Sequence, residues 1–191
     1  MVLSGNTVEL VPLSFDHIAD FLRHSPDPSL WTWWLRKPPV DEAAMRAEVE
    51  TALAQQKQGV RIPFAIFHRQ KGEHIGSTSL WHVDRANRSL EIGSTWLGAA
   101  FHRSGVNREC KDLLLAHSFI ELGMNRVGLQ TDERNLRSRR AIEKLGAKLD
   151  GIAREDKIAW DGRVRSSALY SILRREWSPA RPELKPAAVK L

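Results

Sequence analysis

The stretch between Leu90 and Leu149 leaves this chain few folds to choose from. A strand-like run, Leu90 to Leu97, is followed by a short loop, Gly98 to Gly105, and a long helical pattern from Val106 to Leu122. After Gly123 a second strand-like run covers Arg126 to Thr131, and a second helix spans Asn135 to Leu145 and stops at Gly146. Two strands joined by a crossover helix run parallel and lie in one sheet.

The flanking segments read as antiparallel. Thr7 to Leu13 alternates like a first strand, and Ser14 is placed to cap a short helix with apolar positions Ile18, Phe21 and Leu22. Asp41 caps a clear helix, Glu42 to Gln58, whose stripe is Met45, Val49, Ala52 and Leu53 and whose stop is Gly59. Pro63 to His68 and His74 to Val83 form a hairpin, and Ala147 to Ile158 pairs with Val164 to Leu173 across the Asp161-Gly162 turn. The expectation is a mixed α/β fold with a largely antiparallel sheet and a parallel fourth/fifth strand pair. One domain is expected over residues 1–178, with 179–191 as a C-terminal strap or tail.

Charge and cysteine content exclude several classes. A net charge of +6 favours anionic ligands, but basic and acidic residues alternate along the chain, which suits a solvated surface better than a nucleic-acid groove. A single cysteine, Cys110, excludes an intramolecular disulfide and a cysteine-based metal site, and its place on the apolar face with Val106, Leu113 and Leu114 makes it core. The histidines show no metal-ligand spacing, so no catalytic metal is expected. No apolar run approaches the ~18 residues of a membrane span. The opening MVLSGNTVEL lacks a basic segment followed by an apolar one, so a cytoplasmic location is the expectation.

Two stretches carry chemistry. His102, Arg103, Ser104, Gly105, Val106, Asn107 and Arg108 lie between a strand and a helix start. Free backbone N–H groups and the helix dipole there suit an anion, Gly105 permits close approach, and Arg103 and Arg108 add charge. A glycine is also what any tight turn needs, so both readings stand. The second stretch is Leu30 to Leu35, with Trp31, Trp33 and Trp34 closed off by Pro38 and Pro39. These rings either cover the core or, with Trp81 and Trp160, wall an acceptor pocket.

The set Glu91-Ile92-Gly93 to Trp96-Leu97, the Gly105 loop, Asn135-Leu136-Arg137-Ser138 and Glu143-Lys144-Leu145-Gly146-Ala147 resembles the GNAT superfamily of acyl-CoA-dependent N-acyltransferases, in its RimJ/RimL-type branch. The likeness extends to Tyr170-Ser171-Ile172 and Glu176-Trp177. It implies a sheet splayed around acetyl-CoA between flanking helices. It places pyrophosphate on residues 102–108, the pantetheine arm on the backbone of Trp96 and Leu97, and the thioester end on Asn135 and Ser138. Asn135 also fits a simple N-cap. The family's loop pattern has His102 at its first position and Asn107 at its last.

The implied reaction is acetyl transfer to a primary amine, a protein N-terminus or a small molecule, and the resemblance further implies a homodimer. The amine must lose a proton, a developing oxyanion must be stabilised and a thiolate must leave. The family's helix tyrosine is replaced by Ile142, so Ser138 is the candidate hydrogen-bond donor to the departing sulfur. Glu91 is the leading candidate base, on one strand face with Gly93, Thr95 and Leu97. It would otherwise be a structural carboxylate paired with an arginine, and His82 and His117 are alternative bases. Two other functions compete: a non-catalytic acyl-CoA-binding module, motivated by Ile142 and the loop, and a nucleic-acid-associated protein, motivated by charge alone.

Overall fold

The computed structural model describes residues 1–178, so the expected strap over 179–191 lies outside the described residues. The helix after the Gly105 loop makes the required crossover. Strand β5 (Ser89–Leu97) leads through α3 (Val106–Ala116) into β6 (Arg126–Asp132), and the two strands pair in parallel. Among the described residues every other pairing in the sheet is antiparallel, and the eight strands lie in the order β1-β2-β3-β4-β5-β6-β8-β7. The remaining strands are β1 (Leu3–Ser4), β2 (Val8–Pro12), β3 (Arg61–His68), β4 (Glu73–Asp84), β7 (Lys148–Ile158) and β8 (Val164–Leu173).

The parallel pairing is short. It runs from Ser89↔Arg126 to Ile92↔Leu129 and then ends, while β5 continues along β4 and β6 continues along β8. Gly93–Leu97 therefore has no strand partner on its β6 side among the described residues. The sheet opens there, which is the splay expected from the resemblance.

Each face of the sheet carries its own core. On one face α3 and α4 (Leu136–Glu143) cover Phe64, Ile66, Ile92, Leu97, Tyr170 and their neighbours. On the other, α1 (Ile18–His24) and α2 (Glu42–Lys57) bury Phe21, Trp31, Met45 and Val49 against Ala65 and Trp96. Caps expected at Ser14, Asp41 and Asn135 are formed, each side chain accepting a backbone N–H. Cys110 is fully buried, and burial pushes its thiol up to about 12, so it is inert core.

Two local expectations fail for identifiable reasons. The single helix expected to Leu122 ends its α-helical part at Ala116, and His117–Glu121 forms a π-helical turn closed by the Leu122 N–H on the His117 carbonyl at 3.0 Å. Strict alternation along β5 is broken by a bulge: Gly93 faces Ser79 and Trp96 faces Ser77, so β5 spends one extra residue there. Ser94 takes up the strain at φ 47°. Trp96 thereby joins the α1/α2 core, and Leu97 turns to the face of Ile92 rather than that of Glu91.

Histidine chemistry ties α1 to β4. The rings of His17 and His74 stack with centroids 4.0 Å apart, and His17 Nδ1 accepts the Ser14 N–H at 3.2 Å. Burial, with His74 adding to it, lowers His17 to about 4. The unfolded chain therefore holds this proton between about pH 6.5 and 4 while the folded one does not. Stability from this group is full above pH 6.5 and is lost as pH falls towards 4, by up to about 1.4 kcal/mol per pH unit. Thermal melts at pH 7, 5.5 and 4.5 should show this decline, and His17→Gln should flatten it. A parallel decline in the variant would show that other groups carry the acid sensitivity.

Candidate active site

At the open end of the sheet, β5 leaves through Gly98 and a single 3-10 turn, Ala99–Phe101, into the loop before α3. Gly105 sits in the left-handed region at φ 90° and opens α3 without a side-chain cap. Ser104 Oγ donates to the Phe101 carbonyl at 2.7 Å and accepts the Val106 N–H at 3.4 Å. The N–H groups of Asn107 and Arg108 have no acceptor among the described residues. Unpaired donors at the positive end of a helix are what an anionic group binds.

His102 turns back onto the sheet. The Arg137 guanidinium can only donate, so His102 Nδ1, 3.3 Å away, accepts and Nε2 carries the proton. Nε2 then donates to the Leu97 carbonyl at 3.1 Å. The Leu97 carbonyl expected to meet a ligand is thus already engaged. Arg103 is exposed, with φ 62°. Arg108 departs from expectation as a free phosphate-binding charge: its Nε donates to both Asp112 oxygens at 2.9 Å and its Nη1 to the Lys144 carbonyl at 2.7 Å, bracing α3 against the end of α4.

Across the opening, Asn135 Oδ1 accepts the Ser138 N–H at 3.1 Å, which is the N-cap of α4. The Ser138 side chain is half-buried, and its hydroxyl has no partner among the described residues. Ile142 is buried in the core. The only tyrosine reaches α4 from β8 instead: Tyr170 Oη donates to Glu143 at 2.8 Å and accepts from Arg139 Nε at 2.9 Å. It is committed to bracing the helix.

On the α1/α2 face of β5, Glu91 lies over Gly128 of β6, where a Cβ would come within 3.0 Å of the Glu91 side chain. Its Oε2 accepts Gln130 Nε2 at 2.8 Å, and Gln130 Oε1 accepts Lys157 Nζ at 2.9 Å. Its Oε1 faces His82 Nδ1 at 3.8 Å. No arginine pairs with Glu91 within 4.0 Å among the described residues, so the structural arginine partner considered from sequence is not there. Trp81 lies directly across from Glu91, with Arg61 over its ring at 4.7 Å and its Nε1 donating to Ser94 Oγ at 3.2 Å.

The tryptophan segment divides. Trp31 is buried at 3% exposure, its Nε1 donating to the Ser25 carbonyl and its ring packed on Trp34 and Trp96, so it belongs to the core and not to a pocket wall. Trp33 is half-buried beneath the guanidinium groups of Arg134 and Arg163. Arg163 also donates to the Thr32 carbonyl at 3.3 Å and to Asp132 at 2.8 Å. Burial would push the Asp132 carboxyl up, but Arg163 and Arg134 hold it low. This clamp joins the tryptophan segment to the β7–β8 hairpin beside Glu91's face of the sheet. His117 is buried on the π-helical turn, away from Glu91's face, and is no base for this site.

Sequence reasoning missed Gln130, Lys157, Arg137 and Arg163. Gln130 had a usable signal, since it follows Gly128 at strand spacing on the neighbour of Glu91's strand. The others act across long sequence separations and left no local trace.

A family model described as an acetyltransferase (GNAT) domain matches residues 7–148. A putative ribosomal N-acetyltransferase, YdaF, of Bacillus subtilis (strain 168) is 34% identical over 106 residues, covering 56% of this chain and 57% of that protein. The chain thus matches little more than half the length of that relative. The crystal structure of a putative acetyltransferase from T. thermophilus is 37% identical, with a TM-score of 0.83 over 92% of this chain and 90% of that one. A GCN5-related N-acetyltransferase from Brucella melitensis is 29% identical, with a TM-score of 0.86 over 93% and 80% of the two chains.

Proposed function

The chain belongs to the acetyltransferase (GNAT) domain family, and we propose that it transfers the acetyl group of acetyl-CoA to a primary amine by direct attack. The observation that carries the reading is the junction of three features at one opening. They are the unpaired N–H groups at the start of α3, the β5 edge that β6 leaves after Ile92, and the Glu91–Gln130–Lys157 chain beside it.

Acetyl-CoA supplies an acetyl thioester, from which the sulfur leaves as the amine nitrogen bonds to the carbonyl carbon. The N–H groups of Asn107 and Arg108 would hold the pyrophosphate, with the exposed Arg103 and Arg137 adding positive charge. The free β5 edge would hold the pantetheine arm by backbone hydrogen bonds. Glu91 would take the amine proton, directly or through one water, while Gln130 and Lys157 keep its carboxylate oriented. The Ser138 hydroxyl, unpartnered at the start of α4, would donate to the departing sulfur.

For the acceptor, the name of the Bacillus relative, a putative ribosomal N-acetyltransferase, favours a protein amine over a small molecule, and the RimJ/RimL-type resemblance favours an N-terminal α-amine. Trp33, Trp34 and Trp81 would line its approach. A second copy of the chain and no nucleic acid complete the partners in this reading.

Thermal shift followed by thiol release tests it. Acetyl-CoA at about a hundred times its Kd should stabilise the fold by about 2.7 kcal/mol. Thiol should then appear with at least one member of a panel of amines and peptide N-termini. No stabilisation at millimolar acetyl-CoA would sink the reading. Stabilisation without turnover would leave a non-catalytic acyl-CoA-binding module.

A further inference from the structure

Lys111 is a buried cation with no carboxylate. It projects from α3 towards the sheet, is 7% exposed, and makes no salt bridge within 4.0 Å among the described residues. Its Nζ donates to Thr95 Oγ1 at 2.5 Å, and Thr95 Oγ1 lies 2.7 Å from Thr78 Oγ1 on β4. Thr95 belongs to the β5 bulge, next to the strained Ser94, in the part of the strand that has lost its β6 partner. An ammonium taken out of water with one neutral hydroxyl for company destabilises a fold. Neither packing nor pairing accounts for it, whereas a reaction that develops negative charge at the opening would.

We propose that Lys111 is a positioning residue for acetyl transfer: through the Thr95 hydroxyl its ammonium sets the β5 bulge and keeps a positive charge beside the point where negative charge develops. The inference rests on the acetyltransferase reading and names a residue that reading does not need.

The surroundings fix how this charge titrates. On α3, Glu109 is turned to the N–H groups of Asn6 and Thr7, and Asp112 is paired with Arg108. On β5 the Thr95 hydroxyl accepts from it, and the Thr78 hydroxyl on β4 is bonded in turn to that of Thr95. The Cys110 thiol beside it on α3 is pushed up to about 12 by burial and stays neutral where Lys111 titrates. Burial dominates and lowers the ammonium to about 8. Turnover should therefore fall as pH rises through about 8, where the group loses its charge.

Lys111→Met keeps the side-chain length and removes the charge. Its kcat with acetyl-CoA should drop at least tenfold at pH 7, at an unchanged or raised Tm, and the descending alkaline limb should disappear. Lys111→Arg should recover much of the rate and move that limb to higher pH, and Thr95→Val should lower kcat in a chain that keeps the lysine. A Met variant that keeps both the limb and a kcat within twofold would overturn the proposal. So would one that lowers Tm while the pH profile stays intact, which is what a purely structural lysine would do. Should the Met variant fail to fold, an unchanged kcat in Thr95→Val would overturn it equally. If the unaltered protein turns over no amine, the acetyltransferase reading falls and takes this inference with it. Turnover with unaltered variants removes this inference alone.

Discussion

Replacing Glu91 by Gln should lower kcat/KM about 10²- to 10⁴-fold, the range expected when a positioned general base is lost. The substitution keeps volume and one acceptor oxygen, so the Gln130 amide can still donate to residue 91 and Lys157 can still hold Gln130. Stability should be nearly unchanged, and the loss would report on chemistry. Its size should depend on pH. Below the acceptor's own pKa the amine arrives protonated and needs a base, so the loss is greatest there. It shrinks as free amine becomes abundant. A pH–rate profile parallel to that of the unaltered protein would remove Glu91 from the base role and leave the proton to solvent. The geometry also makes Gln130 an informative control. Gln130→Ala frees the carboxylate without removing it, and should give a smaller loss with a profile of the same shape.

Much of this site is legible in sequence because its parts are local. The Gly105 turn, the Asn135 cap and the strand–helix–strand order each follow from neighbouring residues, and each is formed. What escapes is fixed by contacts made far along the chain. Arg108 reads as a free charge at a helix start, but Lys144, which it braces, is 36 residues away. Trp31 and Trp33 look equivalent in their run. Only α1 and Trp96 on one side, and Arg163 on the other, send the first to the core and leave the second half-buried under the guanidinium group. Lys111 looks like an ordinary polar helix position until the bulge brings Thr95 beneath it. The bulge is the deepest reason for the misreading of β5. Alternation predicts faces correctly as far as Gly93, and one extra residue then inverts every side chain that follows.

That same region yields the largest expected loss of stability. Gly76 of β4 lies opposite Leu97, and a Cβ added there would meet the Trp96 carbonyl oxygen at 2.2 Å and the Leu97 Cα at 3.0 Å. Both obstacles are backbone, so no rotamer change relieves them. β4 would have to move away from β5 at the point where the bulge is held by the Thr78–Thr95–Lys111 relay. Gly76→Ala should therefore destabilise by about 3 kcal/mol or more, the range of severe overpacking. It should also weaken stabilisation by acetyl-CoA, because the free edge of β5 would shift with it. Gly93→Ala, three residues before Trp96, is the sharper comparison. Its added Cβ would meet only the Trp81 ring, at 3.3 Å, and a small tilt of that ring accommodates it, so a loss of about 1 kcal/mol is expected. Urea denaturation of both variants measures the difference. Equal midpoints would mean that the β4–β5 seam yields freely, and that the bulge is not the rigid element on which the opening of the sheet depends.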